Sequence, residues 1–140
     1  MHVAQAVEAD GVHLGFRSLA PSVAHEVLGE GYAIGFSAHE GDVRELWEDA
    51  DYMTFGPVKD TPSKRGLVSP TGFDGLAAAV IEANRPVFGL GGLAVSDVAA
   101  VQATGAAGVC VMSGILRATD VASATRAYLH AFENCAGAWG

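Results

Sequence analysis

Five short apolar runs punctuate the 140-residue chain: residues 11–15 (GVHLG), 32–37 (YAIGFS), 51–56 (DYMTFG), 86–91 (PVFGLG) and 108–113 (GVCVMS). Their spacing of roughly 20 to 35 residues suits alternating strands and helices. Each run is nearly continuous in apolar character, without strict alternation. Strands covered on both faces read this way, which favours a parallel sheet. The segments between them carry helical patterning. Residues 21–28 follow a serine-containing loop, and residues 41–50 put Val43, Leu46 and Trp47 on one face with most charges elsewhere. Residues 73–84 follow Thr71-Gly72, residues 96–104 begin with Ser96 as a capping hydroxyl, and residues 120–132 begin beside Thr119. Residues 1–10 read as the end of a helix feeding the first strand. The predicted order is therefore βα repeated five times, in either an open doubly wound sheet or part of a closed barrel.

The open nucleotide-binding version asks for a GxGxxG or Walker loop directly after a strand. Gly89-Leu90-Gly91-Gly92 lacks the third glycine, and the first strand runs into Gly15-Phe16-Arg17-Ser18. A complete (β/α)₈ barrel takes about 250 residues and rarely fewer than about 200. The expectation is an α/β chain forming one domain over residues 1–140: a partial TIM (β/α) barrel of about five parallel βα units.

Composition narrows the partners. Half of the residues are hydrophobic, enough for a sizeable core, and the 18 glycines cluster at the ends of the apolar runs. A net charge of −8 without a basic cluster excludes a phosphate-tracking nucleic-acid surface. It leaves room for a small phosphorylated ligand, which needs only a few amides and a lysine. Cys110 and Cys135 form no CxxC and no metal-ligand spacing, and Cys110 reads as a core thiol. No stretch reaches the roughly 18 to 20 apolar residues of a membrane span. A reduced cytoplasmic setting is expected.

The chemistry gathers at the strand ends. Gly91-Gly92 closes one apolar run and Ser113-Gly114 the next. Missing β-carbons let backbone amides approach an anion, so the pair reads as a phosphate grip or, more simply, as two tight turns that need glycine. Thr61, Ser63 and Lys64 place two hydroxyls and an ammonium in one loop, suited to a phosphate or to solvent. His39 closes the second run, where an imidazole could return and remove a proton or serve only as a hydrogen-bonded structural group. His13 reads as a packing or hydrogen-bonding residue, and Asp51 as a loop or turn anchor. His2, His25 and His130 join no constellation, and Trp47, Phe55 and Phe88 are expected in the core. No metal-ligating cluster is visible.

Read in order, GVHLG at 11–15, GFSAH at 35–39, ADYMTFGPV at 50–58, TPSK at 61–64, GLGG at 89–92 and VMSGI at 111–115 resemble the successive signatures of the thiamine phosphate synthase/TenI family. The resemblance runs from residue 11 to about 132 and matches strands four to eight of that family's barrel. The first three strands have no counterpart in it. It implies that Gly91, Gly92, Ser113 and Gly114 bind phosphate, and that Thr61, Ser63 and Lys64 contact pyrophosphate. Lys59-Asp60 departs from the family's aromatic-proline pair. In TenI-type tautomerases the histidine at the position of His39 is the proposed acid/base for a proton shift on a thiazole carboxylate phosphate. The synthases use Mg²⁺, held in part by a carboxylate after GVHLG. Phe16-Arg17-Ser18 supplies none, and Lys64-Arg65-Gly66-Leu67 looks nearer to TenI-type members.

The first expectation is thus a thiazole tautomerase without a metal. A thiamine phosphate synthase using Mg²⁺ and a non-catalytic barrel fragment are the alternatives. The implied ligand is a small phosphorylated thiazole. A second copy, or a separate N-terminal barrel segment, is expected to cover the open sheet edges.

Overall fold

The computed structural model describes residues 1–61 and 68–136, with side chains as far as 134. Five parallel strands form one sheet: β1 (Gly11–Leu14), β2 (Ala33–Ala38), β3 (Tyr52–Phe55), β4 (Val87–Leu90) and β5 (Gly108–Cys110). Their spatial order follows the chain, β1-β2-β3-β4-β5. That order decides between the two fold choices. Right-handed crossovers that always step the same way place every helix on one face, whereas a doubly wound sheet reverses its strand order midway. The sheet is an α/β barrel portion, and its other face is the concave interior.

Among the described residues six helices accompany it: α1 (His2–Ala6), α2 (Pro21–Leu28), α3 (Gly72–Ala83), α4 (Val98–Ala103), α5 (Ser113–Leu116) and α6 (Val121–Ala136). Alternation along the strands sends Ile34, Phe36, Met53, Phe55 and Val87 outward to the helices. There they pack with Ala24 and Leu28 of α2, Leu76, Ala79 and Ala83 of α3, and Val101 of α4 in one buried cluster. Helix ends follow local chemistry. Pro21 opens α2 at its first turn, Asn84 closes α3 in the left-handed conformation (φ 50°), and the Asp120 carboxylate accepts the Ser123 amide at 2.9 Å to start α6.

The concave face differs from the apolar runs expected of fully covered strands. It carries His13, Gly35, Tyr52, Thr54, Phe88 and Cys110, a mixture of small, polar and aromatic groups. Gly35 leaves the space that Tyr52 and His13 fill from either side. The His13 ring lies within 3.3 Å of the Tyr52 hydroxyl and 3.4 Å of the Thr54 hydroxyl, and Tyr52 meets Phe88 edge to face. Burial holds the His13 imidazole below its ordinary pKa.

Several local expectations are corrected. Residues 41–50 do not form a helix. Only a single 3₁₀ turn, Arg44–Leu46, is present, because of the three apolar residues on the expected face Val43 and Leu46 are exposed and only Trp47 is buried. One buried side chain does not anchor an amphipathic helix. Ser96 does not cap α4. The chain enters through a 3₁₀ turn, Val95–Asp97, and Asp97 accepts the Ala94 amide at 2.8 Å. Phe88 is half-buried on the concave face, outside the core cluster, and Cys110 is half-exposed there. Asp51 anchors the start of a neighbouring strand by accepting the Ile34 amide at 2.7 Å.

Candidate functional site

In a parallel sheet the loops leaving the carboxyl ends of the strands surround one concave mouth. A cavity of about 520 Å³ opens there. From β2 it takes Ser37 and His39; from the segment after β3, Gly56, Pro57, Asp60 and Thr61. The β4 end contributes Leu90 through Ala94, and the β5 end Cys110 through Gly114. Tyr128 of α6 completes the wall. The structure therefore brings His39, Thr61, Gly91, Gly92, Ser113 and Gly114 to one cavity. Ser63 and Lys64 lie outside the described residues.

Each turn has a local reason for its shape. Gly91 and Gly92 both adopt positive φ, +97° and +68°. The segment after β3 lies directly against them: the Val58 amide donates to the Leu90 carbonyl at 2.9 Å, and the Lys59 amide to the Gly91 carbonyl at 3.0 Å. A β-carbon at Gly92 would sit 2.6 Å from the Asp60 carbonyl oxygen and 2.8 Å from that of Lys59. Glycine at 92 thus answers a packing demand whatever ligand the cavity takes. Ser113 and Gly114 lie in the first turn of α5, where backbone amides have no acceptor within the helix. The Ser113 side chain is exposed at the mouth.

Charge at the rim is arranged around Asp97. Both of its carboxylate oxygens lie 3.0 Å from the Lys59 ammonium. Burial alone would raise the Asp97 pKa. The Ala94 amide and the Lys59 ammonium outweigh it and hold the carboxyl below its ordinary value. Lys59, where the family pattern has an aromatic residue, therefore serves as a clasp between the β3 and β4 loops.

His39 lines the cavity just after β2, with one-fifth of its side chain exposed. Its backbone amide donates to the Asp42 carboxylate at 2.7 Å, and its Nδ1 lies 3.7 Å from the same oxygen. The imidazole is thereby turned with Nδ1 toward a carboxylate and Nε2 away from it. At 3.7 Å the Nδ1–carboxylate approach is longer than a hydrogen bond, so the Asp42 carboxylate is held by the His39 backbone amide and only neighbours the ring.

Two participants escaped sequence reasoning. Tyr128 lies inside the helical segment expected over residues 120–132, and its hydroxyl donates to the Leu93 carbonyl at 3.0 Å. Burial pushes that phenol's pKa up, and the Asp97 charge adds to the effect. Cys110 was read as core, yet it lines the cavity, with burial raising its thiol pKa. The register that sets Cys110 beside Leu90, and so on the concave face, comes from the fold. Among the described residues no group of three or more His, Cys, Asp or Glu side chains is placed to hold a metal ion.

Sequential parallel strands with a cavity at their carboxyl ends define a β/α-barrel protein, present here as five consecutive units. Within that class the chain belongs to the thiamine monophosphate synthase family, whose model matches residues 1–115. It is 40% identical over 133 residues to a thiamine-phosphate synthase of Salinispora arenicola, covering 94% of this chain and 64% of that protein. It is 41% identical over 128 residues to the thiamine-phosphate synthase of Moorella thermoacetica, covering 90% of this chain and 61% of the relative. A thiamine phosphate pyrophosphorylase structure from Pyrococcus furiosus superposes with a TM-score of 0.81 at 32% identity, covering 96% of this chain and 64% of that one. The chain thus spans about three fifths of the length of these relatives.

Proposed function

We propose that the cavity binds a phosphorylated thiazole and that the chain carries this part of a thiamine-phosphate synthase site. Amides of the Gly91-Gly92 and Ser113-Gly114 turns take the phosphate, and the thiazole ring lies toward Ser37 and His39. The observation that carries this reading is the meeting of both turns on one cavity at the carboxyl end of the sheet, in a chain whose relatives are named thiamine-phosphate synthases. Amides fixed by the backbone suit a dianion, because they present several donors without reorganising on binding. The reaction in view joins the bound thiazole to a pyrimidine pyrophosphate with release of pyrophosphate. Thr61, with Ser63 and Lys64 beyond the described residues, is the proposed pyrophosphate contact. Synthase chemistry of this kind uses Mg²⁺, but the described residues do not form a site that fits it, so no step is assigned to the metal.

A second reading is favoured by the His39–Asp42 arrangement. An imidazole at the wall of the cavity, with a carboxylate 3.7 Å from its Nδ1, could shift a proton on a bound thiazole carboxylate phosphate. That is the tautomerase activity, which needs neither pyrophosphate nor metal.

Binding is tested by calorimetry with thiazole phosphate. Wild-type protein binds it, and Ser113→Asp, which sets a carboxylate at the mouth, reduces affinity at least tenfold. No heat from the wild type overturns the phosphate reading. Thiamine phosphate formed on adding the pyrimidine pyrophosphate and Mg²⁺ supports the synthase. Aromatisation of the thiazole carboxylate tautomer, lost in His39→Ala, supports the tautomerase.

The same reading includes a cytoplasmic setting. Among the described residues no helix is long and apolar enough to cross a membrane. It also includes a partner for the sheet edges, either a second copy or βα units equivalent to strands one to three.

A further inference from the structure

We infer that Tyr128 is a positioning residue that sets the separation of the two phosphate-binding turns, an inference that rests on the phosphate reading of the cavity. Its aromatic ring comes from α6 and is buried, with 9% of the residue exposed. Its hydroxyl lies beyond the backbone pairing of β4 with β5. The last paired residues of the two strands are Leu90 and Cys110, and the turns lie beyond them. Above that point Gly91-Gly92 and Ser113-Gly114 belong to different βα units, and side chains between them decide how far apart they stand.

One oxygen touches both. The Tyr128 hydroxyl donates to the carbonyl of Leu93, the residue directly after Gly92, at 3.0 Å. A β-carbon built on Gly114 would lie 2.6 Å from that same oxygen, so glycine is what admits the hydroxyl. The phenol is therefore hydrogen-bonded to one turn and is the surface on which the other rests. A dianion shared between amides of both turns needs them at one spacing, because hydrogen bonds weaken steeply outside about 2.7–3.2 Å. A brace present before the ligand arrives removes the ordering cost from binding. The bond also gives the Leu93 carbonyl a donor, so that this oxygen is not left unsatisfied. Burial and the neighbouring Asp97 charge keep the phenol protonated, and hence a donor, through the neutral range.

Phenylalanine removes the oxygen and keeps the ring, which makes Tyr128→Phe the first variant. The second is Gly114→Ala, whose methyl displaces the hydroxyl while leaving the tyrosine in place. The readout is the set of amide shifts at Gly91, Gly92, Ser113 and Gly114 during titration with inorganic phosphate. In the wild type these amides move together along one saturation curve. Tyr128→Phe weakens the phosphate Kd by roughly five- to tenfold, the scale of one buried hydrogen bond. Gly114→Ala weakens it similarly. In the Tyr128→Phe background Gly114→Ala adds less loss than it does in the wild type, because the clash with the oxygen is gone and the new methyl meets only the Val111 methyl at 3.0 Å and a ring carbon at 3.6 Å. A tyrosine that merely filled the core would change thermal stability and leave the phosphate Kd unmoved. Wild-type binding with an unchanged Kd in Tyr128→Phe, or full additivity of the two substitutions, overturns the brace and leaves the phosphate site standing. Absence of any wild-type shift at the four amides overturns the site and the brace together.

Discussion

Gly92 and Asp97 show how single residues at the mouth combine packing with chemistry. Gly92→Ala must place a β-carbon against two carbonyl oxygens and hold an alanine at φ +68°. It is expected to lower the unfolding free energy by about 1–3 kcal/mol in urea titration. Lost binding in that variant therefore reports on the seating of the 58–60 segment as much as on phosphate, and exposed Ser113 is the cleaner probe. Asp97 gives a pH signature. Its folded pKa is depressed below the ordinary 3.8, so the unfolded chain binds its proton first. The stability it contributes is complete well above pH 3.8 and is lost as pH falls through the lower folded value. Wild type should accordingly melt higher than Asp97→Asn at pH 6, with the gap closing toward pH 3. A constant gap across that range would remove the carboxylate's charge from the account. Residue types at strand ends were legible in the sequence because glycine pairs and an isolated histidine carry their chemistry locally. Tyr128 and Asp97 were not, since each acts on a loop that only the fold brings near.

At the scale of elements, burial decides which hydrophobic residues matter. On α3, Leu76 is fully buried in the core cluster, whereas Ile81 is 82% exposed. Leu76→Ala should cost about 2–5 kcal/mol of stability, and Ile81→Ala less than about 0.5 kcal/mol, both read from denaturant midpoints. Comparable losses at the two positions would mean that α3 is not docked on this face. All five strands were legible to within a few residues, since each is a short, nearly continuous apolar run bounded by glycine or polar residues. Residues 41–50 misled for a physical reason. Their hydrophobic pattern is helical, but Gly41 and Asp42 belong to the His39 turn, where the Asp42 amide bonds the His39 carbonyl at 3.2 Å. Too few residues remain before Ala50, which is already buried at the approach to β3, to nucleate more than one turn. The four-residue α5 was missed because it begins at Ser113, the last residue of the expected fifth strand run.

For the whole molecule the governing feature is the two sheet edges. The described sheet ends at β1 on one side and β5 on the other, each with one row of backbone donors and acceptors outside the ladder. Exposed apolar groups accompany both flanks: Val3, Val7, Phe16 and Leu19 on the β1 side, and Met112, Leu116 and Val121 on the β5 side. Parallel strands are ordinarily interior, and exposed edges of this kind recruit further strands. Opposing that is a net charge of −8, which repels copies at long range. The two effects separate with salt. Screening shortens the repulsion to about 8 Å near physiological ionic strength and leaves edge pairing and apolar contact intact. Light scattering over a concentration series should therefore give a mass above the 14.3 kDa of one chain, rising as salt is added. In the associated state, hydrogen exchange should slow most at β1 and β5, with β3 little changed because it is paired on both sides already. Added βα units equivalent to strands one to three would compete for those edges and return the complex to one-to-one stoichiometry. A stable monomer at every salt and concentration, with freely exchanging edge amides, would show that five units suffice without a partner.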